Sequence, residues 1–231
     1  MGELTVMSFN IDHGKTREGI ISLERAARLV EESGAGLVGL QEVDRFWPRS
    51  YCEDQAAVLA KRLSMHHLFV PFTRLPGRLG SGLTLLSRYP VIHHTFHRLK
   101  LRQGETVLQR AAIDLAGTRV TCLNASLKAS PEAWRGILEI CRGLRAPAIL
   151  TVDAGPVAAA GFSAWQDAAR AMDEEPVKSP LRHGRPKGAV FFSPHWRLKT
   201  SRVHRIAWSA NWPVTAVAGL ESPEVRETGQ A

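Results

Sequence analysis

Gly36-Leu37-Val38-Gly39-Leu40-Gln41-Glu42-Val43-Asp44 is a short apolar run that closes on two carboxylates. A strand that buries Leu37, Val38 and Leu40 holds whatever stands at its C-terminal tip rigidly, and the sheet edge leaves that tip open to a ligand. Delivering a carboxylate at the C-terminal tip of such a strand is a common way to build a metal site. A second run of the same kind, Leu4-Thr5-Val6-Met7-Ser8-Phe9-Asn10, passes into Ile11-Asp12-His13-Gly14.

The remaining elements follow from periodicity. Residues 22–32 read as a helix capped by Ser22, with Leu23, Ala26, Ala27 and Val30 on one face and Gly34 as its stop. Residues 54–63 read as a second helix. Short strands are expected at 68–72 and 83–86, and a hairpin at 111–115 and 119–124, hinged at Ala116-Gly117. A helix over 131–144 carries Pro131 near its start, where a missing N–H costs nothing. A buried strand over 148–152 ends at Asp153, and a short helix over 162–172 precedes strands at 189–193 and 213–217. Strands outnumber helices without a regular βαβ rhythm, which implies a layered α/β protein with mixed sheets.

At 231 residues and 44% hydrophobic content, the chain can bury a full core as one domain over 1–220, with 221–231 read as a disordered tail. The N-terminus runs straight into a strand rather than a leader-like segment, and no apolar run approaches the length of a membrane span. Cys52, Cys122 and Cys141 form no CxxC pair, which disfavours zinc and a disulfide framework and suits reduced core thiols of a cytoplasmic protein. The net charge of +8 suggests an anionic partner. Residues 181–209 hold seven basic residues and no acidic one, and Arg182, Arg185 and Lys187 stand among Gly184 and Pro186 as a basic loop. A solvated loop and a phosphate-contacting loop are both open readings of it.

Ser8-Phe9-Asn10-Ile11, Leu40-Gln41-Glu42-Val43-Asp44, Gly82-Leu83-Thr84-Leu85-Leu86-Ser87-Arg88-Tyr89-Pro90 and Gln109-Arg110-Ala111 occur in one order at compatible spacing. Together they resemble the signatures of the endonuclease/exonuclease/phosphatase superfamily, the deoxyribonuclease-like metal-dependent phosphoesterases. The resemblance runs from Val6 to about Val214. It implies an α+β fold: a four-layer α/β/β/α sandwich of two mixed, largely antiparallel sheets flanked by helices, with the site at one end. It also implies in-line attack of water on a phosphoester whose charge is neutralised by Mg²⁺, with Mn²⁺ as an alternative. Glu42 is then the metal ligand, Asn10 orients metal or phosphate, Asp153 activates water, and Arg88, Arg182, Arg185 and Asn211 contact phosphate.

The later signatures are altered. The family's Asn-Thr-His-Leu is Asn124-Ala125-Ser126-Leu127, so the histidine is Ser126. Gly-Asp-Phe-Asn has become Val152-Asp153-Ala154-Gly155, and a strand-borne Asp has become Gly188. Ser-Asp-His before x-Pro-Val reads Ser209-Ala210-Asn211, so Ala210 and Asn211 replace the Asp–His pair. Losing one general acid or base costs about 10²–10⁴-fold, and these losses do not add independently. The reading is a strongly impaired hydrolase or pseudoenzyme that keeps weakened or lost Mg²⁺ binding and still holds a phosphorylated small molecule or nucleic acid. Two alternatives stand beside it. One is a slow but genuine Mg²⁺-dependent phosphoesterase. The other is a protein-interaction scaffold, which exposure of Trp134, Trp196, Trp208 and Trp212 would support, although aromatics in such places are more often core than interface. Of the unassigned histidines, His13 and His183 are the two expected near the site, and Arg110 is read as a sheet-stitching residue.

Overall fold

A computed structural model describes residues 3–73, 76–102, 104–127, 130–153, 165–168, 185–186 and 188–221. In chain order the elements are β1 (Glu3–Asn10), α1 (Leu23–Ser33), β2 (Leu37–Arg45), α2 (Gln55–Leu63), β3 (His66–Pro71), β4 (Gly80–Ser87), β5 (Val91–Leu101), β6 (Gly104–Leu115) and β7 (Thr118–Ser126). There follow α3 (Pro131–Arg142), β8 (Ala148–Asp153), β9 (Gln166–Asp167), β10 (Arg185–Pro186), β11 (Gly188–Phe192), β12 (Trp196–Val203), β13 (Asn211–Trp212) and β14 (Val214–Leu220).

Two six-stranded sheets result, ordered β12-β14-β1-β2-β4-β3 and β5-β6-β7-β8-β11-β9. Each contains a single parallel pair, β1 with β2 and β7 with β8, and is otherwise antiparallel. Alternating side chains bury both faces of the central strands. Met7, Phe9, Val38 and Leu40 pack under α1 and α2. Leu4, Val6, Leu37, Cys122, Ile149 and Val190 fill the space between the sheets. Leu123, Ala125, Leu150 and Phe191 pack on Trp134, Ile137 and Leu138 of α3. The layers are therefore helix, sheet, sheet, helix, as the resemblance implied.

The helices start where capping chemistry allows. The Asp54 side chain accepts the Ala57 N–H at 3.1 Å, and Ser130 accepts the Ala133 N–H at 3.2 Å, with Pro131 in the first turn of α3. Ser22 precedes α1 in extended conformation but makes no side-chain cap. Gln41 and Asn124 tie the sheets together in the interior: the Gln41 amide donates to Asn124 Oδ1 at 2.8 Å, and the Asn124 amide donates to the Leu40 and Thr84 carbonyls at 3.0 Å.

Several expectations need correction. β5 and β12, long strands both, were not expected at all. They are edge strands whose exposed positions carry His93, Lys100, Arg197 and Arg202, so neither shows an apolar alternation. Within the helix expected over 162–172, Gln166 and Asp167 instead pair antiparallel with Phe192 and Phe191 of β11; residues 162–164 and 169–172 lie outside the described residues. Cys122 and Cys141 are buried as expected, but Cys52 is exposed, and all three thiols are free. Trp134, Trp196 and Trp212 are core residues, the commoner place for such aromatics, so they do not support the scaffold alternative. The Glu221 N–H is bonded to the His195 carbonyl at 2.8 Å, and the rest of the expected tail, 222–231, is outside the described residues. Among the described residues no helix is long and apolar enough to cross a membrane.

Candidate metal and phosphoester site

The parallel pair in each sheet sends two strand ends the same way, and the packed sheets bring all four ends together. Asn10 ends β1, Ser126 ends β7 and Asp153 ends β8, with Glu42 near the end of β2. Asn10 lies beside Gln41 in register, and Asp153 pairs with Ser126 on one side and Gly188 on the other. The Asn10 amide crosses between the sheets and donates to Asp153 Oδ2 at 2.6 Å. Asn10 Oδ1 in turn accepts the Asn211 side-chain amide at 3.0 Å and the Asp12 N–H at 2.9 Å. Asn211, Asn10 and Asp153 thus form one buried polar chain.

Glu42 reaches the site through an irregularity. Gln41 pairs with Leu83 and Val43 with Gly82, so Glu42 is an extra residue with no partner on β4, at φ 55°. The bulge turns the side chain out of the strand's alternation. Its phase effect is visible: Val38, Leu40 and Val43 all join the helix-side core although 43 is out of step with 38 and 40. Opposite the bulge, β4 presses on β3 so closely that a Cβ on Gly82 would lie 2.1 Å from the Val70 carbonyl oxygen.

A short turn, Asp12–Gly14, follows β1 and carries Asp12 at φ 46° and His13 at φ 59°. One ligand atom from each of Asp12, His13 and Glu42 lies within 4.8 Å of the other two. All three are half-buried, so the cluster is screened by protein yet reachable from solvent. His13 Nε2 stands 3.7 Å from Glu42 Oε2, and His13 Nδ1 stands 2.9 Å from Asp44 Oδ1. Asp44 is solvent-inaccessible and receives a two-pronged bond from Arg49, Nε to Oδ2 at 2.7 Å and Nη2 to Oδ1 at 2.8 Å. Ser50 Oγ also donates to Asp44 Oδ2 at 3.1 Å. Burial works against the Asp44 charge, but the hydrogen bonds from Arg49 and His13 outweigh it and hold the carboxyl well below the usual carboxylate range. Donors of this kind fit a divalent cation: two carboxylates and one imidazole converge on one small space.

The other sequence-derived positions divide. Ser126 is fully buried, and among the described residues its hydroxyl has no hydrogen-bond partner. Ala210 is exposed, whereas Asn211 is buried against Asn10. Gly188 is more than a missing carboxylate: a Cβ there would lie 2.8 Å from the Ser8 carbonyl oxygen. The backbone of Arg185 pairs with Asn211, which brings one end of the basic loop to the site. Gly155, Arg182 and His183 lie outside the described residues. Arg88 is not brought to this end: its N–H bonds to the Gly36 carbonyl, just ahead of the Leu37 start of β2 and far from Glu42. Arg110 shares the phase of Leu108, toward α3, while Gln109 faces the first sheet. Sequence reasoning did not single out Asp12, Arg49 or the pairing of Asp44 with His13. The Asp-His-Gly turn was the available signal, because short polar residues and glycine mark such turns.

A family model described as PGAP2IP, C-terminal nuclease-like domain, matches residues 2–127. Among solved structures, an endonuclease/exonuclease/phosphatase from Beutenbergia cavernae is similar at 18% identity and TM-score 0.75, over 96% of this chain and 72% of that one. One from Bacteroides vulgatus matches at 15% identity and TM-score 0.73, over 96% of this chain and 100% of that one. The human Nocturnin catalytic domain matches at 16% identity and TM-score 0.65, over 94% and 93%.

Proposed function

The chain belongs to the PGAP2IP-type nuclease-like family of the endonuclease/exonuclease/phosphatase superfamily, and from that premise we propose that it is a divalent-metal-dependent phosphoester-binding protein whose hydrolysis is strongly impaired. Glu42 anchors the cation, Mg²⁺ or Mn²⁺, with Asp12 beside it. When bound, the cation supplies neutralisation of charge on the nonbridging phosphate oxygens. Asp153 is the strand-end carboxylate able to orient a water, and Asn10, braced by Asn211, fixes its direction. The basic loop that ends beside Asn211 suits the phosphate of a nucleic acid or a phosphorylated small molecule.

One observation carries the impairment. The metal-side carboxylates and the Asp153 chain are assembled, yet the positions of both family histidines hold Ser126 and Asn211, and neither exchanges protons near neutral pH. One such loss costs about 10²–10⁴-fold. The scaffold alternative has lost its supporting observation, since three of its four tryptophans are buried.

Calorimetric titration of Mg²⁺ and Mn²⁺ into wild type and Glu42→Ala tests the reading, together with turnover of a p-nitrophenyl phosphodiester. The expected result is binding that vanishes in the variant and turnover far below about 10 s⁻¹, a typical enzyme value. Wild-type protein that takes up neither metal overturns the metal assignment. Turnover near that ordinary value would overturn the impairment.

A further inference from the structure

We propose that His13 is a direct metal ligand through Nε2, making the site a mixed nitrogen–oxygen site that selects a first-row transition cation over Mg²⁺. This rests on the metal-binding reading above and adds the identity of the third donor and of the preferred cation.

The orientation of the ring is set on its Nδ1 side. His13 Nδ1 lies 2.9 Å from Asp44 Oδ1 and 3.2 Å from Arg49 Nη2, and Arg49 in turn holds both oxygens of Asp44. With Nδ1 turned to the Asp44–Arg49 pair, Nε2 is the ring nitrogen left to meet a ligand.

Nε2 points to the carboxylates. It stands 3.7 Å from Glu42 Oε2, and ligand atoms held at about 2.1 Å from one ion lie roughly 3–4 Å from each other. Arg49, Asp44 and His13 form an orienting series: the guanidinium fixes the carboxylate, the carboxylate fixes the ring, and Nε2 faces the side of Asp12 and Glu42. A carboxylate behind an imidazole is the usual support for a metal-bound histidine. Asp12 and Glu42 alone are hard oxygen donors suited to Mg²⁺, whereas a neutral imidazole shifts the preference to Mn²⁺, Fe²⁺, Co²⁺ or Zn²⁺. A purely structural role, His13 serving only to satisfy Asp44, is the competing account.

Mn²⁺ is the probe, because its electron spin reports a directly bound nitrogen without any need for turnover. The wild-type Mn²⁺ complex is expected to show ¹⁴N modulation in pulsed electron paramagnetic resonance. His13→Gln should lose that signal and weaken Mn²⁺ by about 10–100-fold while moving Mg²⁺ by less than about threefold. Asp44→Asn should weaken Mn²⁺ by about tenfold or more through loss of orientation. The wild-type spectrum needs no variant to fold, so it stands alone as a test. Mn²⁺ that binds, and is lost in Glu42→Ala, without any ¹⁴N signal overturns the His13 assignment and leaves the metal site intact. Equal loss of Mg²⁺ and Mn²⁺ in His13→Gln also overturns it. Failure of wild type to bind either cation overturns the metal reading and this proposal with it.

Discussion

Replacing Gly188 by alanine measures how closely the two sheets meet beneath the site. A Cβ at this position lies 2.8 Å from the Ser8 carbonyl oxygen and 3.3 Å from the Ser8 carbonyl carbon and Cβ. Ser8 belongs to β1, in the interior of the first sheet, and its hydroxyl already reaches the Val152 carbonyl at 3.3 Å. The obstacle is paired backbone, which cannot swing aside as a side-chain end can. Overpacking of this kind costs about 1–3 kcal/mol. For a chain of this size each kcal/mol moves the melting midpoint by roughly 2–4 °C, so Gly188→Ala is expected to melt about 3–10 °C below wild type. Gly188→Asp meets the same obstacle and also sets a carboxylate opposite Asp153 in register, where like charges repel. It should melt lower still, and its extra deficit relative to alanine should narrow as the pH is lowered from 7 toward 4 and the added carboxyl takes up a proton. Circular dichroism melts in EDTA at the two pH values provide the comparison. If Gly188→Ala melts within about 1 °C of wild type, β1 yields freely and the steric argument fails. In that case Gly188 is simply a position where the family's acid has been lost.

Three further outcomes follow from the same geometry. Asp44→Asn removes the charge that binds Arg49 and His13, and about 2–3 kcal/mol of stability should go with it at pH 7, moderated because Arg49 is half exposed and free to hydrate. The folded-state pKa of Asp44 is depressed, so its contribution is complete above about pH 4 and fades as the pH falls toward that lower value. Urea titrations in EDTA should therefore show a gap between wild type and variant that is flat from pH 8 to 5 and shrinks below 4; a gap unchanged at pH 3 would count against the ion pair. Burial pushes the Cys141 thiol up to about 12 and Cys122 higher, while Cys52 is exposed, so a disulfide reagent at pH 8 should label Cys52 alone until denaturant is added. Installing Asn211→His with Ala210→Asp should raise metal-dependent phosphodiester turnover by about 10²-fold, the lower end of what a general acid or base contributes; no gain with metal bound would refute the alignment of that pair.

The central strands and the three helices among the described residues were legible because burial on both faces, or on one helical stripe, leaves apolar runs of recognisable period. Legibility failed at the margins. β5 and β12 sit at sheet edges, where His93, Lys100, Arg197 and Arg202 face water and the period-two signal is diluted. The Gln166–Asp167 pairing was hidden because a two-residue strand has no period to read. At the site, the motifs named Asn10, Asp153 and Asn211, which hydrogen-bond in one chain, and Glu42, which stands beside His13, but those motifs do not encode how far apart the residues lie. Arg88 shows the converse: it belongs to a motif, yet the antiparallel course of β4 carries it to the other end of the sheet from Glu42. Asp44 and His13 are distant in sequence and meet where the end of β2, past the bulge at Glu42, comes against the Asp12–Gly14 turn.

That bulge separates the needs of the fold from the needs of the site. Removing residue 42 would put Gln41 directly before Val43, and the alternation Val38, Leu40, Val43 would continue without a break against an uninterrupted β4 ladder. The ladder would run on, while the Asp12, His13 and Glu42 cluster would lose one of its two carboxylates. The single supernumerary residue persists against the geometry of its own strand, and what it supplies is the carboxylate at the open end of the sandwich.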